Sequence, residues 1–132
     1  KLKYIDNLNK ISSVKYDIIF FGSSLQYFSN PFVELKKILK INSSLLLFVD
    51  TYLTSTETFF TFQKYYKSGV PHSFLNKKKF LSILQKSYTL ISSSYSHTTR
   101  LGKVAKINMN NFPKKYRVYN SFNLILSKKN EK

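Results

Sequence analysis

Apolar residues fall in two unbroken runs, Ile18, Ile19, Phe20, Phe21 and then residues 45–49, with a helical pattern between them. Neither run alternates with polar residues, as expected of parallel strands buried on both faces. Between the runs, Asn30 is placed to cap a helix that Pro31 opens, and Phe32, Leu35, Ile38 and Leu39 fall on one helical face. Residues 16–50 therefore predict strand, loop, helix, turn, strand. That is half of a nucleotide-binding-type α/β sheet, and two central strands imply a larger one.

The flanking segments extend this pattern. Residues 1–6 predict a short strand ending on Asp6. Residues 51–73 keep no clean period yet hold Tyr52, Phe59, Phe60, Phe62, Tyr65 and Tyr66, which predicts an aromatic loop beyond a strand's carboxyl end, a natural pocket wall. Asn76 is placed to cap a second helix through Lys86, with Phe80, Ile83 and Leu84 inward. Residues 88–95 and 119–127 read as two strands that pair antiparallel, because no helical pattern separates them. The basic stretch 96–118 predicts a long connecting loop.

Composition narrows the function classes. At 132 residues the chain is one domain or part of one. A net charge of +16 ordinarily points to nucleic acid or an anionic surface. Only Arg100 and Arg117 are arginine, however, the rest being lysines scattered among Asn, Ile, Ser and Tyr, as an AT-rich coding bias gives. An interface selected for phosphate or base contacts favours arginine's planar fork, so both readings of the charge, nucleic acid and anionic surface, are discounted. The absence of cysteine excludes a disulfide framework, a thiolate metal site and a cysteine nucleophile, and fits a cytoplasmic setting. The longest apolar run, 45–49, falls far short of the ~20 residues of a membrane span. No spacing of His, Asp and Glu predicts a metal site. A serine hydrolase is rejected, since Gly22, Ser23, Ser24, Leu25 lacks the second glycine of a nucleophile elbow.

The order of elements and several local strings resemble the C-terminal portion of a class I S-adenosylmethionine-dependent methyltransferase. Tyr16 and Asp17 open a strand as in that family, Leu25, Gln26 and Tyr27 match its loop signature, and Leu39, Lys40, Ile41, Asn42 and Ser43 replace its Leu-Lys-Pro-Gly-Gly turn without the glycines. The strings SSLQY at 23–27, FFTFQ at 59–63 and VPHSFLNKKKFLSIL at 70–84 resemble a bacterial group of methyltransferases associated with surface-polysaccharide loci. The resemblance implies a Rossmann-like α/β sheet ending in an antiparallel strand pair, S-adenosylmethionine as cofactor, and a small or saccharide-linked acceptor. It covers residues 1–132 as a single partial domain. The family's first strand and Gly-rich turn have no counterpart, the only glycines being Gly22, Gly69 and Gly102. The expectation is a fragment, inactive by itself, with an apolar sheet edge that needs the missing N-terminal half of the fold.

The same resemblance nominates site residues, each with a plainer alternative. Asp6 would accept from the adenine amino group, or simply cap a helix. Gly22, Ser23 and Ser24 would line the methionine side of the cofactor, or form an ordinary turn. Gln26 would hydrogen-bond cofactor or substrate, or be a surface amide. Tyr27 would wall the site or orient the acceptor, and Asp50 would position or deprotonate an acceptor hydroxyl, or cap a turn. Gln63 and Tyr65 are candidate substrate contacts, and His72 is the candidate base, with His97 in a polar loop a weaker one. The rival reading is a noncatalytic basic module that grips RNA or an anionic surface through lysines and nearby tyrosines.

Overall fold

The computed structural model describes residues 4, 11, 15–96, 99–100, 103–104 and 107–129. Strand β1 (Tyr16–Gly22) runs parallel to β2 (Ser43–Thr51), β2 pairs antiparallel with β9 (Phe122–Lys128), and β9 pairs antiparallel with β6 (Tyr88–Tyr95). The order is thus β1-β2-β9-β6. Because β9 opposes both neighbours, β1, β2 and β6 all point one way and end along one edge of the sheet. The predicted antiparallel terminal pair is present.

Helix α1 (Pro31–Ile38) starts where Asn30 Oδ1 accepts from the Val33 N–H at 3.4 Å, and α2 (Lys77–Leu84) where Asn76 Oδ1 accepts from the Lys79 N–H at 2.8 Å. Their buried residues, Leu35 and Ile38 with Phe80 and Leu84, join Phe21, Leu46, Phe48, Leu124 and Leu126 in one core. The strand register puts those sheet residues on a single face, so both helices cover that face. Phe48 sits at its centre, stacked on Phe21 at 4.9 Å and meeting Phe80 edge-on at 5.2 Å.

The other face corrects the expectation of strands buried on both sides. Among the described residues nothing covers Ile18 and Phe20, which are 50% and 62% exposed, or Ile125. Continuous apolarity records that both faces favour nonpolar contact; it does not supply the second layer.

The aromatic segment 51–73 is another correction, since most of it is sheet rather than loop. Strands β4 (Phe59–Tyr65) and β5 (Ser68–Asn76) form an antiparallel hairpin, and the short β3 (Leu53–Thr54) runs parallel beside β5. Phenylalanine at 59, 60 and 62 makes the inward and outward positions alike, which hides the period of two. A second core joins Phe74, Met109 and Val118, with Tyr52, Phe59, Ile107 and Phe112 packed around it. The described residues of the stretch 96–118 are accordingly more than a simple loop. They pair the short β7 (Thr99–Arg100) and β8 (Lys103–Val104), form a 3₁₀ turn at Lys114–Tyr116, and send Met109 and Val118 under the hairpin.

Candidate functional site

The carboxyl ends of β1 and β2 bring together most of the residues nominated from sequence. Gly22 ends β1 with the Phe20 ring folded over it, so close that an added Cβ would come within 2.7 Å of that ring. Ser23 follows with φ of 45°, and Asp50 on β2 has φ of 52°. Left-handed backbone at a non-glycine residue costs on the order of 1 kcal/mol and needs compensation from its surroundings.

Here the compensation is a shared carboxylate. Asp50 Oδ2 accepts from Ser23 Oγ at 3.1 Å, while Oδ1 accepts from Ser121 Oγ at 3.0 Å and, at short range, from Ser96 Oγ. The Asp50 N–H donates to Asn123 Oδ1 at 3.1 Å. One residue therefore fastens the end of β1, the end of β6 and the start of β9 to β2. Ser96, Ser121 and Asn123 carried no sequence signal for this, because a lone Ser or Asn beside a strand looks like any turn residue.

Ser24 is half-buried and precedes a 3₁₀ turn over Leu25–Tyr27. Gln26 in that turn is buried, contrary to a surface amide, and its backbone carbonyl accepts from Ser73 Oγ on β5 at 3.1 Å. Tyr27 remains 43% exposed, and its hydroxyl donates to Gln63 Oε1 on β4 at 3.3 Å. The turn thus bridges the main sheet and the hairpin.

His72 lies at the centre of this bridge, only 6% exposed. Tyr52 and Tyr27 meet its ring edge-on at 4.6 and 5.6 Å, and Phe74 tilts against it at 4.9 Å. Its Nδ1 is buried without a hydrogen-bond partner. Burial lowers its pKa to about 4, so the imidazole is neutral near pH 7. The Tyr52 phenol shifts the other way, raised first by burial and then by the charge of Asp50 and by Tyr27. Tyr52 was visible in the sequence as one aromatic among six; its place beside His72 was not.

Asp6 and His97 lie outside the described residues, and Tyr65 is described only by its backbone, paired with Ser68. Among the described residues no group of three or more His, Cys, Asp and Glu side chains could hold a metal ion. No described helix is long and apolar enough to cross a membrane.

No family model matches the chain, and no curated protein matches it. Solved structures do. A candidate S-adenosylmethionine-dependent methyltransferase from Listeria monocytogenes superposes over 93% of this chain with a TM-score of 0.58 at 13% identity. The N-terminal domain of EvdMO1, crystallised in the presence of SAH and D-fucose, superposes over 96% with a TM-score of 0.51 at 8% identity. This chain spans 67% of the first structure and 54% of the second. At such identities the likeness establishes a mixed α/β fold shared with these two structures.

Proposed function

We propose that this chain contributes the acceptor side and part of the cofactor side of an S-adenosylmethionine-dependent methyltransferase, acting on a small or saccharide-linked hydroxyl acceptor. The observation that carries the reading is the convergence of Gly22, Ser23, Ser24, Gln26, Tyr27, Asp50, Gln63 and His72 at the carboxyl ends of β1 and β2. Ligands of open α/β sheets bind at that edge. The fold shared with the Listeria structure supports it, and the D-fucose of the EvdMO1 crystals is consistent with a saccharide acceptor.

The residues present fit one portion of the cofactor. The Ser23 N–H is held by the Val49 carbonyl, which leaves Ser24, with its backbone and hydroxyl, to meet an amino-acid moiety, and the rings of Tyr27 and Tyr52 suit a sulfonium cation. Asp6 is the proposed adenine contact. When bound, the cofactor supplies an electrophilic methyl to an in-line displacement. The protein's task is then alignment, with a base required only for a weakly acidic acceptor. His72 is the proposed base: neutral near pH 7, its unpartnered Nδ1 would accept from the acceptor hydroxyl and take its proton. Tyr27 and Gln63 orient the acceptor, and Tyr65 is a further proposed substrate contact. Asp50, whose oxygens are occupied by three serine hydroxyls, is a positioning residue that sets the left-handed Ser23. The 132 residues contain no Gly-rich turn, so by themselves they bind cofactor weakly and are inactive.

Titration of S-adenosylhomocysteine followed by NMR tests this at millimolar concentrations. The expected result is saturable shifts confined to the amides of 22–24 and the rings of Tyr27, Tyr52 and His72, abolished by Gly22→Val. Shifts scattered over the surface lysines, or none at all, overturn the cofactor assignment.

A further inference from the structure

The hairpin of β4 and β5 has two unlike faces. One carries Phe59, Gln63, His72 and Phe74 toward the second core and the candidate site. The other packs its β5 row, Ser73 and Leu75, against the 25–27 turn and the main core, and leaves its β4 row open, with Phe60 60% and Phe62 75% exposed. That strand is outermost in the order β3-β5-β4. Lys64 continues the outward row, Lys67 follows in the turn, and both are exposed. No acidic residue occurs in the sequence between Glu57 and Glu131, so the lysines here have no carboxylate nearby in the chain to neutralise them.

Single exposed apolar residues need no explanation, but paired phenylalanines flanked by uncompensated lysines form an amphipathic surface. We propose that this face of the hairpin docks on an anionic lipid surface. Phe60 and Phe62 enter the boundary between headgroups and acyl chains, while Lys64 and Lys67 meet the headgroup charge. Charge complementarity selects the occupant. A second copy brings the same +16 and sets lysine against lysine. Attraction to headgroups needs point charges at the surface, which lysine supplies; nucleic acid recognition favours the arginine fork, and the described residues carry arginine only at positions 100 and 117. His72 and Gln63 belong to the same hairpin, so docking in this way keeps the candidate site close to the membrane surface.

Co-sedimentation of the whole chain with vesicles tests the proposal and needs no cofactor, so its outcome is independent of the methyltransferase reading. Vesicles of phosphatidylglycerol and phosphatidylcholine should retain the chain at least about tenfold better than phosphatidylcholine alone, and salt near 1 M, where screening shortens to ~3 Å, should release it. The Phe60→Ser, Phe62→Ser double variant should bind about tenfold more weakly with an unchanged melting temperature, because both rings are outside the core, and Lys64→Gln about fivefold more weakly. Vesicle binding that ignores the two phenylalanines overturns the proposal in favour of diffuse charge attraction. So does a dimer that Phe62→Ser dissolves, or retention on polyuridylate RNA that the double variant loses while vesicle binding persists.

Discussion

On the helix-covered face, Leu46, Phe48, Leu124 and Leu126 are buried among rings and aliphatic chains in regular strand geometry. A few residues further along the same strands, at the carboxyl edge, Ser23 and Asp50 turn left-handed, Gln26, Ser73 and Ser121 are buried polar groups, and His72 is buried with an unmet nitrogen. The first region has the composition that stability selects. The second holds backbone strain and a desolvated imidazole that packing alone gives no reason to keep, which is the profile of a binding site built at the expense of stability. On that contrast, removing a core ring should destabilise the fold, whereas removing the unmet imidazole should stabilise it.

The largest effect is expected at Phe48. Truncation to alanine removes the ring that contacts both Phe21 and Phe80, and should destabilise the fold by about 3–5 kcal/mol, read as a fall in the urea midpoint at unchanged slope. A loss under ~1 kcal/mol would mean that the face is loosely packed and the contrast is false.

His72 should behave oppositely. Its folded pKa of about 4 lies below the ordinary 6.5, so the unfolded chain takes up a proton that the folded chain refuses. Stability is therefore whole above about pH 6.5 and falls as pH drops toward 4, by up to about 3 kcal/mol. His72→Phe should flatten that pH profile and, by removing the orphaned Nδ1, stabilise the protein at pH 7 by about 1–2 kcal/mol. Destabilisation at pH 7 instead would show that Nδ1 has a partner in solution and that the site is ordinary core.

The two regions were also unequally legible. Apolar runs, asparagine caps and the proline at the head of α1 announced β1, α1, β2 and α2, because each depends on residues near one another in sequence. The hairpin was missed where three phenylalanines in four positions erased the alternation that marks a strand. The insertion of β9 between β2 and β6 depends on contacts across the whole chain, and local pattern gave only the pairing. Gly22 and Asp50 were nominated from strand ends and Gln26 and Tyr27 from the resemblance carried by the 25–27 loop, but what surrounds them was not visible. The serines around Asp50 come from residues 23, 96 and 121, and no local pattern joins positions so far apart.

Asp50 sharpens the comparison at intermediate size. Asp50→Ala should cost about 2 kcal/mol, since it releases three hydroxyls, one of them on the buried Ser121, and keeps the left-handed backbone. Asp50→Gly loses the same hydrogen bonds but relaxes the backbone, and should be about 1 kcal/mol more stable than the alanine variant. Thermal melts of the pair measure the strain directly. Equal stability would mean that the left-handed conformation costs nothing and that Asp50 is merely a turn residue.

Tyr27 should give the smallest change in stability and for that reason the clearest separation of roles. Its hydroxyl is exposed, its bond to Gln63 is long, and its ring keeps its edge contact with His72 in Tyr27→Phe. The melting temperature should therefore move by no more than the equivalent of about 0.5 kcal/mol. Because Tyr27 bridges the main sheet to the hairpin over His72, losing its hydroxyl should instead free the Gln63 side chain, visible as altered exchange at the 63 and 72 amides. A large loss of stability with no local change there would make Tyr27 part of the packed region, and the boundary between scaffold and site would lie closer to solvent than the geometry assigns it.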